Sequence, residues 1–379
     1  MKHALRSLAL GLVAATLAAC GTSGSSAVGA TRAASAPAAS AANAPASATK
    51  GSAPAATTGT APPSATHGSF PAGWSLVNLS SQLSSTQSSP AGDGLTGLSC
   101  PSVSFCMILG ANRYITWNGG SFAKAKPIVP VPSGSGGFTP VISPATVSCT
   151  SSDYCVGLSG GAYFLWQGQR WSKGLPTGVG SLRGYLACAP GTKECVAIKS
   201  GGSRGAPVMA VLAGGRWSTQ PLSGSGLVDE VACSPGPFCL AADNVGDVYT
   251  WTGGTWSGPS AVWGAQTTDA LDGFTCGAGP WCLAVGHDSG RLVADGGSGF
   301  TALPGAPAIF NVGAASCTGR SFCMVTTASG RYETDAGGAW TTHAAADAAN
   351  LQELSCPSSK LCFGVAFGFR PQLAVYSGS

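Results

Sequence analysis

The sequence is poor in charge. Lys, Arg, Asp and Glu make up 9% of the 379 residues, and the formal net charge is +4. Loss of residues 1–19 would remove Lys2 and Arg6 and lower that charge to +2. So small an excess gives no reason to expect nucleic acid as a partner or binding to an anionic membrane surface. A chain with few charges gains little from ion pairs, so we expect its stability to come from sheet packing.

Motifs of the common catalytic classes are also missing. The sequence has no Gly-x-Ser-x-Gly elbow, no His-Glu-x-x-His pair and no phosphate-binding loop. Glycoside hydrolysis needs two facing carboxylates, and none of the glutamates considered is followed by a recognisable motif. These glutamates are Glu194, Glu230, Glu333 and Glu353. The sequence therefore favours a protein without catalysis, and we expect no cofactor and no metal.

Glycine and cysteine are abundant, with 56 and 15 residues respectively. Fourteen of the cysteines form seven close pairs, each separated by five residues except for one pair separated by six. The pairs are Cys100/Cys106, Cys149/Cys155, Cys188/Cys195, Cys233/Cys239, Cys276/Cys282, Cys317/Cys323 and Cys356/Cys362. First cysteines recur every 39 to 49 residues. A period of this length with strand-like segments is typical of propeller blades.

Each pair lies in a repeated pattern. An apolar residue stands two positions before the first cysteine, which places both side chains on one face of a strand. The residue between them is always small, as expected of a crowded strand near a propeller axis. These small residues are Ser99, Ser148, Ala187, Ala232, Thr275, Ser316 and Ser355. A glycine-containing turn and a third strand follow each pair.

A fourth strand opening on an aromatic residue follows six of the third strands. The aromatic residues are Phe122, Trp171, Trp217, Trp256, Phe300 and Trp340. The seventh repeat ends at residue 379 without one, and the matching segment is residues 71–79, which contain Trp74. The sequence therefore predicts an all-β fold. It is a seven-bladed β-propeller of four-stranded antiparallel blades, closed by an N-terminal strand and preceded by a signal peptide and a disordered linker.

The N-terminus predicts secretion. Residues 1–19 combine Lys2 and Arg6 with a short apolar run, which indicates a signal peptide. The run ends at Leu17-Ala18-Ala19-Cys20, which resembles the bacterial lipobox; that resemblance implies lipidation of Cys20 and an anchor on the outer surface of the cell membrane. The alternative is an ordinary signal followed by a free cysteine. Residues 20–69 are rich in Ala, Ser, Thr, Pro and Gly, which predicts a disordered tether to a domain over residues 70–379.

Residues 71–379 resemble bacterial secreted propellers with BNR-type, sialidase-like repeats, here with a cysteine pair in each blade. The segment Thr334-Asp335-Ala-Gly337-Gly338-Ala-Trp340 is similar to that family's Asp-box. Asp295-Gly-Gly297-Ser-Gly-Phe300 is a second copy with phenylalanine in place of tryptophan. The other blades lack the aspartate. The resemblance implies a propeller fold and, as one alternative, a sialidase-like glycoside hydrolase.

The cysteine pairs could be metal ligands or disulfides. Structural zinc sites use the shorter spacing Cys-x2–4-Cys with further Cys or His partners, whereas only His67, His287 and His343 remain beyond residue 19. Each pair would span the mouth of a short turn, where cross-strand distances suit a disulfide. We therefore predict seven disulfides and an oxidising, extracytoplasmic compartment.

Arginine recurs in the turn between the second and third strands of five repeats. The residues are Arg113, Arg204, Arg291, Arg331 and Arg370. Together on one rim they would favour an anionic ligand; alternatively, they are solvated hairpin residues. Trp263 lies in a long blade-linking segment and is either a binding anchor or packed against the neighbouring blade.

These patterns lead to one functional hypothesis and two alternatives. The leading hypothesis is a lipid-anchored extracytoplasmic propeller that binds a protein or a cell-envelope glycan without catalysis. The alternatives are the sialidase-like hydrolase and a purely structural envelope protein.

Overall fold

The computed structural model describes residues 70, 72–79, 82, 94–110, 113–128, 146–159, 161–199, 207–224, 226–263, 269–366 and 372–378. These residues form seven four-stranded antiparallel sheets arranged as the blades of a propeller ring. The predicted fold class is therefore confirmed. The predictions for residues 1–69, including the signal, Cys20 and the tether, fall outside the described residues.

The strands follow the predicted repeat, with blades I to VII numbered by their first strands. Strand β1 spans Gly73–Asn78. Blade I holds β2 (Leu95–Ser102), β3 (Phe105–Gly110), β4 (Arg113–Trp117) and β5 (Lys126–Pro127). Blade II holds β6 (Thr146–Ser151), β7 (Tyr154–Ser159), β8 (Ala162–Trp166) and β9 (Leu175–Pro176). Blade III holds β10 (Leu182–Cys188), β11 (Cys195–Lys199), β12 (Val208–Ala213) and β13 (Arg216–Pro221).

The remaining blades repeat this order. Blade IV holds β14 (Val228–Ser234), β15 (Phe238–Asp243), β16 (Asp247–Trp251) and β17 (Trp256–Ala261). Blade V holds β18 (Leu271–Cys276), β19 (Cys282–Gly286), β20 (Leu292–Asp295) and β21 (Phe300–Ala302). Blade VI holds β22 (Val312–Gly319), β23 (Phe322–Thr327), β24 (Arg331–Asp335) and β25 (Trp340–Ala344). A 3₁₀ turn at Ala346–Ala348 precedes β26 (Leu351–Ser358), β27 (Leu361–Ala366) and β28 (Gln372–Ser377) of blade VII.

The N-terminal strand completes the last blade, as predicted. Strand β1 pairs antiparallel with β28, and Trp74 lies opposite Tyr376. The order in blade VII is therefore β1-β28-β27-β26, with the first strand of the chain outermost. Because β1 comes from the other end of the sequence, this pairing joins the two ends of the domain within one sheet and covers an edge strand.

The core is a series of layers between neighbouring blades. On β3, Ile108 faces blade VII and packs with Phe363, whereas Met107 faces blade II and packs with Phe164. Both side chains are completely buried. The second strand of each blade is therefore apolar on both faces, unlike a strand with one solvated face. Burial of both faces explains why the sequence after each second cysteine is a continuous apolar run.

All seven predicted cysteine pairs are disulfides. The bonds join Cys100–Cys106, Cys149–Cys155, Cys188–Cys195, Cys233–Cys239, Cys276–Cys282, Cys317–Cys323 and Cys356–Cys362. Each bond links the end of the first strand to the start of the second strand of the same blade. No disulfide among the described residues connects two blades, so the blades are joined to one another by packing and hydrogen bonds.

Serines at the small-residue position form part of those inter-blade hydrogen bonds. The hydroxyl of Ser99 accepts a bond from the backbone N–H of Cys149 in the next blade, at 2.9 Å. Ser148 and Ser316 do the same for Cys188 and Cys356, both at 2.9 Å. Ser355 accepts from Cys100 N–H at 3.0 Å, across the seam between blades VII and I. Crowding alone was the reason predicted from sequence for a small side chain at this position. At these four serines the hydroxyl also accepts a hydrogen bond from the neighbouring blade.

We expect Ser355→Ala to lower the free energy of unfolding by about 1–2 kcal/mol, because it leaves the Cys100 N–H without its acceptor in a partly buried seam. Chemical denaturation of the purified protein measures the change. Ser104→Ala is the matched control, since Ser104 is exposed and its hydroxyl bonds that of Ser102 within the same turn. A Ser355→Ala protein as stable as the control variant would show that the seam does not depend on this bond.

The prediction that fourth strands open on an aromatic residue is wrong in blades I and II. There, Phe122 and Trp171 form isolated bridges with Trp117 and Trp166, and strand pairing resumes only in the two-residue strands β5 and β9. Rings still pair at this point, with centroids 4.9 Å and 5.9 Å apart. Along the chain, the aromatic pair thus comes before the regular strand pairing. Pro127 and Pro176, in β5 and β9, have no backbone N–H to donate to a longer ladder.

Among the described residues, no helix is long and apolar enough to cross a membrane.

Candidate ligand-binding face

The two ends of the ring carry different turns. Strands within a blade run antiparallel, so the cysteine turn and the turn between second and third strands lie at opposite ends. We call these ends the disulfide face and the arginine face. Arg113 begins β4 opposite Gly110, Arg291 precedes β20, and Arg331 begins β24. All three therefore lie on the arginine face, whereas Arg204 and Arg370 fall outside the described residues.

Arg291 and Trp263 lie together on the arginine face. The guanidinium of Arg291 lies 5.2 Å from the ring centre of Trp263, within range of a cation–π interaction. The indole N–H of Trp263 donates to the carbonyl of Asp269 at 2.6 Å, and the ring packs on the core between blades IV and V. Trp263 is half-buried. Packing against the neighbouring blade, one of the two alternatives for Trp263, is thus observed, and the arginine lies over it.

Arg331 forms an ion pair with a buried carboxylate. Its guanidinium donates to Glu333 at 2.8 Å, and the other carboxylate oxygen of Glu333 accepts from Thr342 at 2.6 Å. Glu333 is 1% exposed. An unpaired charge there would be costly, so Arg331 serves to neutralise it. Alternate residues of a strand share a face, so the spacing from Arg331 to Glu333 was a signal that sequence reasoning missed.

Buried carboxylates also hold the turns of this face in blades IV and V. Asp243 is completely buried and accepts bonds from the N–H groups of Val245 and Asp247. Tyr249 donates its hydroxyl to Asp243 at 3.3 Å. Burial, and then the charge and hydrogen bond of Asp243, raise the pKa of Tyr249 above its ordinary value. In blade V, the side chain of Asp269 accepts from Ser289 Oγ at 2.5 Å.

His287, in the turn between the second and third strands of blade V, is bonded to an acid. His287 Nδ1 lies 2.6 Å from Asp272, and the two side chains are 40% and 21% exposed. No group of three or more His, Cys, Asp or Glu side chains in the described part of the chain could hold a metal ion.

A central channel runs between the first strands of all seven blades, with a volume of about 510 Å³. All seven small residues preceding the first cysteines line it, which places them on the strands nearest the propeller axis, as predicted. Glu230 and Glu353 also line the channel, on the first strands of blades IV and VII. Glu194 lies in the cysteine turn of blade III. The four glutamates considered for catalysis are therefore spread over four blades, with Glu333 in blade VI.

In both Asp-box-like hairpins the aspartate accepts backbone N–H groups of its own turn, although from different positions. Asp295 accepts bonds from the N–H groups of Gly297 and Gly299, at 2.6 Å and 2.9 Å. Asp335 accepts from Gly338 at 2.5 Å. Both aspartates end a third strand, at the register that Trp117 and Trp166 occupy in blades I and II. The relation to BNR repeats stays a prediction.

Trp117 and Trp166 use that position differently. Their indole N–H groups donate to the carbonyls of Val103 and Ser152, at 3.0 Å and 2.8 Å. Each indole thereby ties the third strand of its blade to the cysteine turn of the same blade.

Comparison with known proteins places the chain by fold. No family model matches the sequence, and no curated protein matches it. Among solved structures, virginiamycin B lyase from Staphylococcus aureus has a TM-score of 0.58 at 12% identity, covering 80% of this chain and 98% of the lyase. YCF48 bound to D1 peptide has a TM-score of 0.56 at 16% identity, covering 82% of this chain and 100% of that one. U3-55K gives 0.54 at 13%, with 80% and 98% covered. At these identities the similarity shows a shared propeller fold alone.

Proposed function

We propose that this chain is a lipid-anchored, extracytoplasmic propeller that binds a protein or a cell-envelope glycan through its arginine face, without catalysis. The observation that carries the binding proposal is the placement of Arg291 over Trp263 at 5.2 Å. A guanidinium held over an indole is pre-organised, so little side-chain entropy is lost when it meets an anionic group. Arg113, at the same end of its blade, adds a second positive charge.

The seven disulfides support the proposed compartment. Disulfides persist in oxidising surroundings and are rare where thiols are kept reduced. The tether of about 50 residues predicted over residues 20–69 would reach roughly 40 Å from the membrane if it is a flexible coil. The shared fold does not decide the function, because propellers support both enzymes and binding proteins. The similar structures include a lyase and a protein in complex with a peptide.

The binding proposal predicts that Arg113→Glu combined with Arg291→Glu weakens partner recovery at least about tenfold, because reversed charge repels an anionic surface. The full-length tagged protein is cross-linked in the producing cells and its partners are recovered, and the purified protein is applied to a glycan array. Arg331 is left unchanged, since its loss would leave Glu333 buried without its cation.

Arg216→Glu is the matched control. Arg216 is exposed at the turn between third and fourth strands of blade III, on the disulfide face. All variants should melt within a few degrees of the unchanged protein. Equal recovery by the double variant, or equal loss in the control, would contradict binding at the arginine face.

The anchor has its own test. If Cys20 is lipidated, Cys20→Ala should release the protein from membranes into the medium, because the side chain that carries the lipid is lost. Fractionation of cells and medium, with mass analysis of the mature N-terminus, measures this. Retention of a correctly cleaved Cys20→Ala protein in the membrane fraction would rule out the lipid anchor.

The second candidate function is a sialidase-like glycoside hydrolase. The hairpins at Asp295 and Asp335 favour it, because their aspartates bond the turn N–H groups within segments similar to the Asp-box. Release of a fluorescent aglycone from a sialoside by the purified protein would support this candidate over the binding module.

A further inference from the structure

On the disulfide face, a cation of one blade lies over an aromatic ring of the preceding blade at two seams. Lys193 Nζ lies 5.7 Å from the ring centre of Tyr154, and the guanidinium of Arg320 lies 5.6 Å from that of Trp281. In both cases the aromatic residue directly precedes the second cysteine of its blade, and the cation lies in the next cysteine turn. The cation–π attraction restricts where the guanidinium of Arg320 can lie.

At the seam of blades V and VI, Arg320 lines a groove of about 510 Å³. The apolar part of the lining comes from Trp281, Leu303, Pro304 and Trp340. Trp281, Leu303 and Trp340 also pack against the core between these blades, so the core holds this wall in place. The volume falls within the range of about 300–1,000 Å³ that is usual for small-ligand sites.

Of the two charged side chains that line the groove, Arg320 and Asp335, only Arg320 is exposed. The other charged side chain in the lining, Asp335, is 3% exposed and accepts the N–H of Gly338 within its own hairpin. A ligand entering the groove therefore meets a positive group beside an apolar wall.

We propose that this groove binds the C-terminal residue of a peptide whose last side chain is apolar. The planar guanidinium of Arg320 matches a carboxylate, with which it forms two parallel hydrogen bonds. The apolar side chain of the same residue is removed from water against Leu303, Pro304 and Trp340. Inorganic phosphate would use only the arginine and a neutral sugar only the wall, whereas a C-terminal apolar residue uses both. The site lies on the opposite face from the proposed ligand face and does not depend on it.

The probe is N-acetyl-alanyl-leucine with a free carboxylate, titrated into the purified full-length protein and followed by tryptophan fluorescence and calorimetry. The same dipeptide with a C-terminal amide in place of the carboxylate should bind at least about tenfold more weakly, because the charge-assisted pair with Arg320 is lost. Arg320→Gln should weaken binding of the carboxylate by a similar factor, and Arg320→Lys by less. Lys193→Gln removes the equivalent cation from the seam of blades II and III and should change the affinity less than twofold.

Equal affinity for carboxylate and amide, no binding of either, or full affinity in Arg320→Gln with an unchanged melting temperature would overturn the assignment. Glucuronic acid serves as the competing acidic sugar. If it binds more tightly than the dipeptide and depends on Arg320, the groove is a site for acidic sugars and the peptide proposal is wrong.

Discussion

Deletion of residues 71–79 should lower the melting temperature by at least about 10 °C and cause the protein to associate. The deletion removes Leu79, which is completely buried in the core between blades I and VII, and Trp74, whose ring lies 5.7 Å from Tyr376. Loss of one such side chain costs about 2–5 kcal/mol. Strand β28 would then become an edge with unpaired backbone groups, which favours pairing between molecules.

Calorimetry and light scattering after size-exclusion chromatography measure the two effects. Trp74→Ala and Leu76→Ala are matched point variants on the same strand. Leu76 is 47% exposed, so only the tryptophan variant should be clearly destabilised. Deletion of residues 21–65 should change neither property. A 71–79 deletion that melts with the full-length protein and stays monomeric would show that β1 does not close the ring.

Reduction of the seven disulfides should unfold the protein in a urea concentration that leaves the oxidised protein native. The chain-entropy model gives each short loop about 2 kcal/mol. Seven such contributions are comparable with the whole free energy of unfolding of a typical domain, about 5–15 kcal/mol. Without urea, reduction should be slower than in urea, because every second cysteine is 0% or 1% exposed. A reductant can then reach each bridge only at the sulfur of the first cysteine, beside the central channel.

Circular dichroism with and without a phosphine reductant, at matched urea concentrations, follows this unfolding. The paired variant Cys149→Ala with Cys155→Ala should lose about 2 kcal/mol, one bridge's share. A fully reduced protein that keeps its oxidised stability would mean that the blades do not depend on their bridges.

The repeat was predictable from sequence because its signals are local. Each cysteine pair closes a turn of five or six residues, and Trp74 could be assigned to blade VII because it matches the aromatic residues of other fourth strands. The irregular fourth strands of blades I and II were missed. The aromatic residues there pair with Trp117 and Trp166 as isolated bridges, and strand length beyond them depends on later residues such as Pro127.

The candidate sites were only partly predictable, because they depend on contacts between distant residues. Arginine recurrence placed three described residues at one end of their blades, but the position of Arg291 over Trp263 joins a blade-linking segment to a turn 28 residues later. The pairing of Ser355 with Cys100 spans 255 residues. The groove beside Arg320 draws its walls from two blades, so no single repeat contains the pattern that would reveal it.

Peptide mapping of the non-reduced full-length protein tests the central claim, seven blades each closed by its own bridge. Proteolytic fragments, identified by mass spectrometry before and after reduction, should show Cys100 joined to Cys106, Cys356 to Cys362, and the five intervening pairs likewise. No free thiol should be found among these fourteen cysteines. A bridge between cysteines of different blades, or an unpaired cysteine within residues 94–378, would contradict the account.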